Sequence, residues 1–147
     1  MIETDVALQL RGIHQKIIQI MQAKVCEYDL TFGLLNILMR IEKNPDANQK
    51  QLAKELNFTQ GALSIAVKRL LGDGMLKQIP LKSDMRYNRL VLTNKGKSMI
   101  KDYREHLSNK YESIFYGFNE DELTQLYNFL LKINTNLDNI NNTFKMD

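Results

Sequence analysis

Between residues 48 and 92 the spacing of apolar residues changes period, and this change limits the possible folds more than any other feature of the chain. Leu52, Ala53 and Leu56 recur at helical spacing, Asn57, Phe58 and Thr59 form a turn, and Leu63, Val67 and Leu70 mark the inner face of a second helix over 59–71. Thr59 suits the N-cap of that helix, because its hydroxyl can accept from an amide left without a partner in the first turn. Gly72, Asp73 and Gly74 end the helix, since glycine enters the left-handed conformation at no steric cost. The period then shortens, and residues 75–79 and 88–92 read as two short strands. Residues 80–87 between them are polar and include Lys82, Ser83, Asp84 and Arg86, which predicts a hairpin with a charged tip.

Long amphipathic segments flank this block. Val6, Leu10, Ile13, Ile17, Met21 and Val25 give a helix over about 5–28 with one apolar face. A continuous stripe on so long a helix needs a partner, and a second subunit would supply one. Thr31 caps a helix carrying Leu34, Leu35, Ile37, Leu38 and Ile41, which stops near Asn44 and Pro45. After the hairpin, Thr93 caps a helix with Ile100, Tyr103, Leu107, Tyr111, Ile114 and Phe118 on its stripe. A last helix opens at 119–122, where acidic residues suit the helix dipole, and carries Leu123, Leu126, Leu130, Ile133, Leu137 and Ile140. The asparagine-rich stretch 134–142 is expected to fray. The fold class is therefore mainly α with a small β-hairpin wing: a winged helix-turn-helix with long N- and C-terminal helices, which the resemblance given below implies are dimerisation helices. Its organisation is 1–30 and 98–147 for the helical dimerisation region and 31–97 for the winged region, with a recognition helix at 59–71 and a wing at 75–92.

Charge follows the same division. The net charge is only +3, yet residues 48–92 hold eight Lys/Arg against three Asp/Glu, while both ends of the chain are mildly acidic. A basic block that coincides with a folded motif has the footprint of nucleic acid binding. The longest apolar stretch, near 32–39, is too short to span a bilayer, the first residues lack a secretion-signal pattern, and one cysteine forms no internal disulfide. These features predict a cytoplasmic protein.

The second helix of a helix-turn-helix enters the major groove, where each base pair presents a distinct set of donors and acceptors. Its outward positions here are Gln60, Gly61, Ser64, Ile65 and Lys68. Gln60 can pair with adenine, Ser64 serves a base or a phosphate, and small Gly61 permits close backbone approach. Thr59 and Lys68 meet the phosphate backbone. Arg86 at the hairpin tip is the candidate for minor-groove insertion, drawn by the negative potential of a narrow groove. Asp84 holds Arg86 or the hairpin backbone in place, and Lys77, Lys82 and Arg89 neutralise phosphates.

The run Gln51-Leu52-Ala53-Lys54-Glu55-Leu56, the segment 59–70, Gly74-Met75-Leu76, Asp84-Met85-Arg86 and Leu92-Thr93-Asn94-Lys95-Gly96 together resemble the MarR family of transcriptional regulators. The Asp-x-Arg of the wing and the Leu-Thr-x-x-Gly leaving it are the more specific parts. The resemblance implies an obligate homodimer of interlocked terminal helices, binding to double-stranded DNA at a pseudo-palindromic operator, and most often repression. It also implies release by a small aromatic or anionic effector or by cysteine oxidation.

An effector pocket would draw on Met21, Tyr28, Phe32, Met39, Arg40 and Tyr103, although each also reads as core. Cys26 follows Lys24 but is opposed by Glu27 and Asp29, and the oxidation-sensing relatives carry their cysteine nearer the start of this helix, so a plain, partly buried thiol is expected. His14 and His106 are too few for a metal cluster. No glycine-rich phosphate loop or catalytic signature occurs, so neither enzyme activity nor a cofactor is expected. The alternative is a winged-helix adaptor or anti-repressor that binds protein and not DNA.

Overall fold

The computed structural model describes residues 1–81 and 84–144, with side chains described outside 81–88. Six helices and one hairpin follow in the order α1 (Ile2–Glu27), α2 (Phe32–Lys43), α3 (Gln49–Glu55), α4 (Gln60–Gly72), β1 (Leu76–Leu81), β2 (Asp84–Leu92), α5 (Asn94–Ile114) and α6 (Glu120–Phe144). The chain divides into two units, residues 1–108 and residues 109–147.

The first unit holds the core. Ile37, Leu38, Leu52, Leu63, Val67, Leu70 and Ile100 are almost completely buried, so α2, α3, α4 and α5 share one apolar centre. No polar or charged residue is buried among those described. The inner faces expected for the α3–α4 pair are the ones observed, with Leu56 half-buried at the rim.

Local hydrogen bonds set the helix boundaries. Thr31 Oγ1 accepts from the Leu34 amide at 3.3 Å, and Thr59 Oγ1 accepts from the Ala62 amide at 3.1 Å. Asn48 and Gln51 form a reciprocal capping box on α3, satisfying two first-turn donors that would otherwise lack partners. Asn57 supports the tight turn between α3 and α4 by taking a φ of 56°, in the region that asparagine tolerates better than most residues. Gly74 does the same after α4, with a φ of 73°.

The hairpin strands are longer than the sequence suggests. β1 and β2 pair antiparallel from Leu76↔Leu92 to Pro80↔Asn88, then shift register at Pro80/Leu81 to pair Leu81 with Asp84. A shift of this kind is how a β-ribbon accommodates an unequal number of residues on its two strands.

The second unit differs from expectation in two places. Phe118 was expected on the α5 stripe, but α5 ends at Ile114 and Gly117 turns the chain with a φ of 88°. Phe118 instead meets Phe115 edge-to-face, with centroids 6.4 Å apart. The stretch 134–142, expected to fray, is helical, and α6 continues to Phe144. Asparagine is a mediocre helix former but not a breaker, and here it interrupts neither the backbone ladder nor the apolar stripe. Asn119 caps α6 in a second capping box, exchanging bonds of 2.9 Å with Glu122 in both directions.

Candidate nucleic-acid interface

α4 is anchored on one side and open on the other. Leu63, Val67 and Leu70 lie in the core, and Gln60, Gly61, Ile65 and Lys68 are exposed. Ser64 is half-buried, so of the outward positions expected it is the least accessible. Thr59 is exposed and its hydroxyl accepts from the helix's own first turn, leaving the hydroxyl proton for an external acceptor such as a phosphate oxygen. A Cβ on Gly61 would meet nothing within 4 Å, so this surface is open to a close-approaching partner.

Two contacts hold the far end of α4. The Arg69 guanidinium donates to the Asp29 carbonyl oxygen at 2.8 Å, tying α4 to the turn between α1 and α2. The Met75 amide donates to the Leu70 carbonyl at 3.0 Å, which leads the chain directly from α4 into β1. Sequence reading did not single out Arg69. Its neighbour Lys68 carries the same charge, both are exposed, and only the fold shows that Arg69 is bonded to the Asp29 carbonyl.

In the hairpin, Lys77 is exposed on β1. Arg89, expected to neutralise a phosphate, also has partners within the chain. Its Nε donates to the Pro45 carbonyl at 3.0 Å, and its guanidinium lies 3.3 Å from the Asp46 carboxylate. Arg89 thus ties the base of the hairpin to the loop between α2 and α3. Asp84 and Arg86 belong to β2 by backbone, but their side chains lie outside the described residues, and Lys82 lies outside them altogether.

The hairpin meets α5 through Thr93 and Gly96. Thr93 Oγ1 donates to the Gly74 carbonyl at 2.6 Å and accepts from the Gly96 amide at 3.1 Å, so one hydroxyl closes the α4–β1 turn and caps α5. Gly96 is buried, and a Cβ there would overlap the Met75 carbonyl oxygen. This close approach is the physical content of the Leu-Thr-x-x-Gly motif.

Of the six residues considered for an effector pocket, two line a described cleft. Met39 and Arg40 line a cleft of about 500 Å³ together with Asn36, Glu42, Lys43, Leu56 and Arg104. Arg40 lies 3.7 Å from Glu55, and Arg104 bonds Glu42 at 2.6 Å. Met21 and Phe32 pack half-buried on the core, and Tyr103 is inside it.

Tyr28 has another setting. Its hydroxyl donates to the Asp102 carboxylate on α5. Lys24 Nζ lies 3.2 Å from Asp102, 2.8 Å from Glu27 and 5.3 Å from the Tyr28 ring centre. Partial burial, and then the bond to Asp102, push the Tyr28 phenol up to about 12. The Tyr28 bond, and then Lys24, hold Asp102 below the ordinary carboxylate range. Lys24 is raised, chiefly by Glu27. Because the folded-state value of Tyr28 lies above the unfolded one, its contribution to stability is complete below about pH 10 and is lost as pH rises toward 12. An absorbance titration at 295 nm should show one of the six tyrosines ionising near pH 12, and Tyr28→Phe should remove that late phase. An unchanged titration in the variant would refute the assignment.

Cys26 is exposed, not partly buried as expected. His14 is exposed and His106 half-buried, and no cluster of three or more metal-ligating side chains occurs among the described residues. None of the described helices is long and apolar enough to cross a membrane.

Comparison with known proteins agrees with this geometry. Residues 30–87 match the model of the MarR family. The HTH-type transcriptional regulator BilQ of Clostridium symbiosum is 27% identical over 104 residues, covering 71% of this chain and 72% of BilQ. The uncharacterized HTH-type transcriptional regulator YybA of Bacillus subtilis is 24% identical over 134 residues, covering 91% of this chain and 89% of YybA. Among solved structures, the YusO protein of Bacillus subtilis superposes with a TM-score of 0.81 at 19% identity, covering 91% of this chain and 95% of that one. The S. aureus MepR–DNA complex superposes with a TM-score of 0.77 at 19% identity, covering 89% of this chain and 98% of that one. The helix-turn-helix and the matching family model give residues 30–87 a MarR-family domain, in a chain similar to HTH-type transcriptional regulators and sharing the fold of solved MarR-type winged-helix proteins.

Proposed function

We propose that the protein is a cytoplasmic homodimeric repressor that binds a pseudo-palindromic site in double-stranded DNA and is released by a small aromatic or anionic effector. The observation that carries DNA binding is the open face of α4. It presents Gln60, Gly61 and Lys68 to solvent above a fully packed core, in the most basic part of the chain. Gln60 reads adenine in the major groove, and Thr59, Ser64, Lys68 and Lys77 meet phosphates or base edges beside it. Arg86 and Lys82 of the wing reach the minor groove and its backbone, with Asp84 holding Arg86 and Arg89 fixing the base of the hairpin. The solved MepR–DNA complex supports this reading, because a protein of the same fold holds DNA.

Residues 1–30 and 98–147 form the dimer. Two-fold symmetry then sets two copies of α4 about one DNA turn, about 34 Å, apart. The cleft beside Arg40 and Arg104 is a place for an anionic effector: Met39 and Leu56 offer apolar walls, and Lys43 adds positive charge to two arginines that are each paired with a glutamate.

The test is binding to duplexes recovered by random-sequence selection, measured over a range of salt. Affinity should fall linearly on a log–log plot, because each neutralised phosphate releases counterion. Gln60→Ala should cost about 1–3 kcal/mol at one base pair and little elsewhere. Undetectable or salt-independent binding would favour a protein-binding adaptor.

A further inference from the structure

Ile65 is 72% exposed, at the middle of the α4 face turned away from the core. At 3.6 residues per turn, Gly61, Ile65, Lys68 and Gly72 share one strip, opposite Leu63, Val67 and Leu70. Gly61, one turn before Ile65, carries no side chain and has open space around it, and Lys68, one turn after, is exposed and cationic. Ile65 is therefore the single apolar projection on that strip.

Neither packing nor helix formation explains the choice of residue. The side chain contacts water more than protein, and a β-branched residue at an exposed helical site is a poorer helix former than alanine, lysine or glutamine. What such a position offers is a compact apolar tip beside a donor–acceptor side chain and a cation. In the major groove the one apolar group on a base edge is the C5-methyl of thymine.

We infer that Ile65 is a specificity-determining residue that packs against the C5-methyl group of a thymine in the bound site. The inference rests on the DNA-binding reading and deepens it. Gln60 reads hydrogen bonds at the start of α4, whereas Ile65, more than one turn further along, reads an apolar surface at a different base pair. The bare Gly61 between them leaves room for the sugar–phosphate chain or base edge to approach. Lys68 supplies sequence-independent attraction to a neighbouring phosphate.

Removing a methyl from the DNA tests this directly. A duplex selected by the wild-type protein is resynthesised with each thymine replaced singly by deoxyuridine, which keeps every hydrogen-bonding group and loses only the methyl. Affinity is measured by fluorescence anisotropy at fixed salt for the wild type and for Ile65→Ala. At one thymine per half-site, the deoxyuridine duplex should bind the wild type about three- to fivefold more weakly and bind Ile65→Ala no more weakly than the thymine duplex does. This non-additivity is specific to the pair. Thermal melting should confirm that Ile65→Ala keeps its fold, since the side chain is outside the core.

If deoxyuridine costs the wild type nothing at any position, or costs both proteins equally, the thymine assignment falls. Salt dependence separates that failure from a wider one. A wild-type protein that binds the selected duplex with a steep salt slope, lowered by about one in Lys68→Ala, still reads DNA without Ile65. If no duplex is bound, both the assignment and the DNA-binding reading fail.

Discussion

Replacing Leu130 and Leu137 together by glutamate should convert the protein to a monomer and weaken binding to a palindromic duplex by about a hundredfold or more. No residue of α6 is buried within the chain, although its sequence carries an unbroken apolar stripe. Leu137 and Ile140 are each about half exposed, and Phe129 and Tyr127 are 60% and 62% exposed. α1 behaves in the same way over its first half, where Ile2, Leu8 and Ile13 are at least half exposed. Exposed apolar side chains along one helix mark a contact site, and in the homodimer proposed above a second copy of the same helices is the occupant. Two carboxylates in such an interface lose hydration without gaining partners, which an apolar contact cannot offset. The loss of DNA affinity follows from the proposed dimer: two linked copies of α4 would bind two half-sites as one event, and separated subunits would lose that advantage. Sedimentation velocity reads the oligomeric state. A double variant that remains dimeric would remove the terminal helices from the interface and leave their exposed stripes without an account.

Gly96→Ala should lower folding stability by about 1–3 kcal/mol, without any change of charge or polarity. The added methyl overlaps the Met75 carbonyl oxygen, and the obstacle is backbone, which has no rotamer to yield. Moving α5 outward to make room would break the Thr93 bonds to the Gly74 carbonyl and the Gly96 amide, and with them the joint between hairpin and helix. Leu92, whose side chain also lies against the site, closes the other direction of escape. Gly72→Ala is the control, because a Cβ there meets nothing within 4 Å. It should leave stability unchanged or slightly raised, since alanine restricts the unfolded chain more than glycine does. Thermal melts of both variants decide the matter, and equal melting temperatures for Gly96→Ala and the wild type would refute the steric account.

The two glycines show how far a sequence can be read. Gly74 was legible as a helix terminator because its role is local: a left-handed residue is needed where α4 stops, and the neighbouring residues alone indicate it. Gly96 was legible only as part of a motif. Its reason is the approach of the Met75 carbonyl, from a distant segment of the chain, which no local pattern encodes. Caps follow the same rule. Thr31 and Thr59 act as their types and positions predict, since a cap is completed within three residues.

Arginines were less legible for the same physical reason. Arg89 was expected to neutralise a phosphate, and its bonds to Pro45 and Asp46, more than forty positions away in sequence, were not foreseen. Arg69 secures α4 to the turn after α1 through a bond that spacing does not suggest. A long, flexible cationic side chain can reach any acceptor within several ångströms, so its partner depends on which segments the fold brings near. The same holds for Tyr28, whose bond to Asp102 joins the end of α1 to α5.

By itself the sequence determined the kinds of element, their order, the buried faces of α2 to α5 and the basic character of the middle of the chain, because hydrophobic period, caps and charge act over a few residues at a time. Tertiary structure alone decided which charged groups are already partnered, why Gly96 must be glycine and how accessible each side chain of α4 is, because those depend on contacts between segments far apart in sequence.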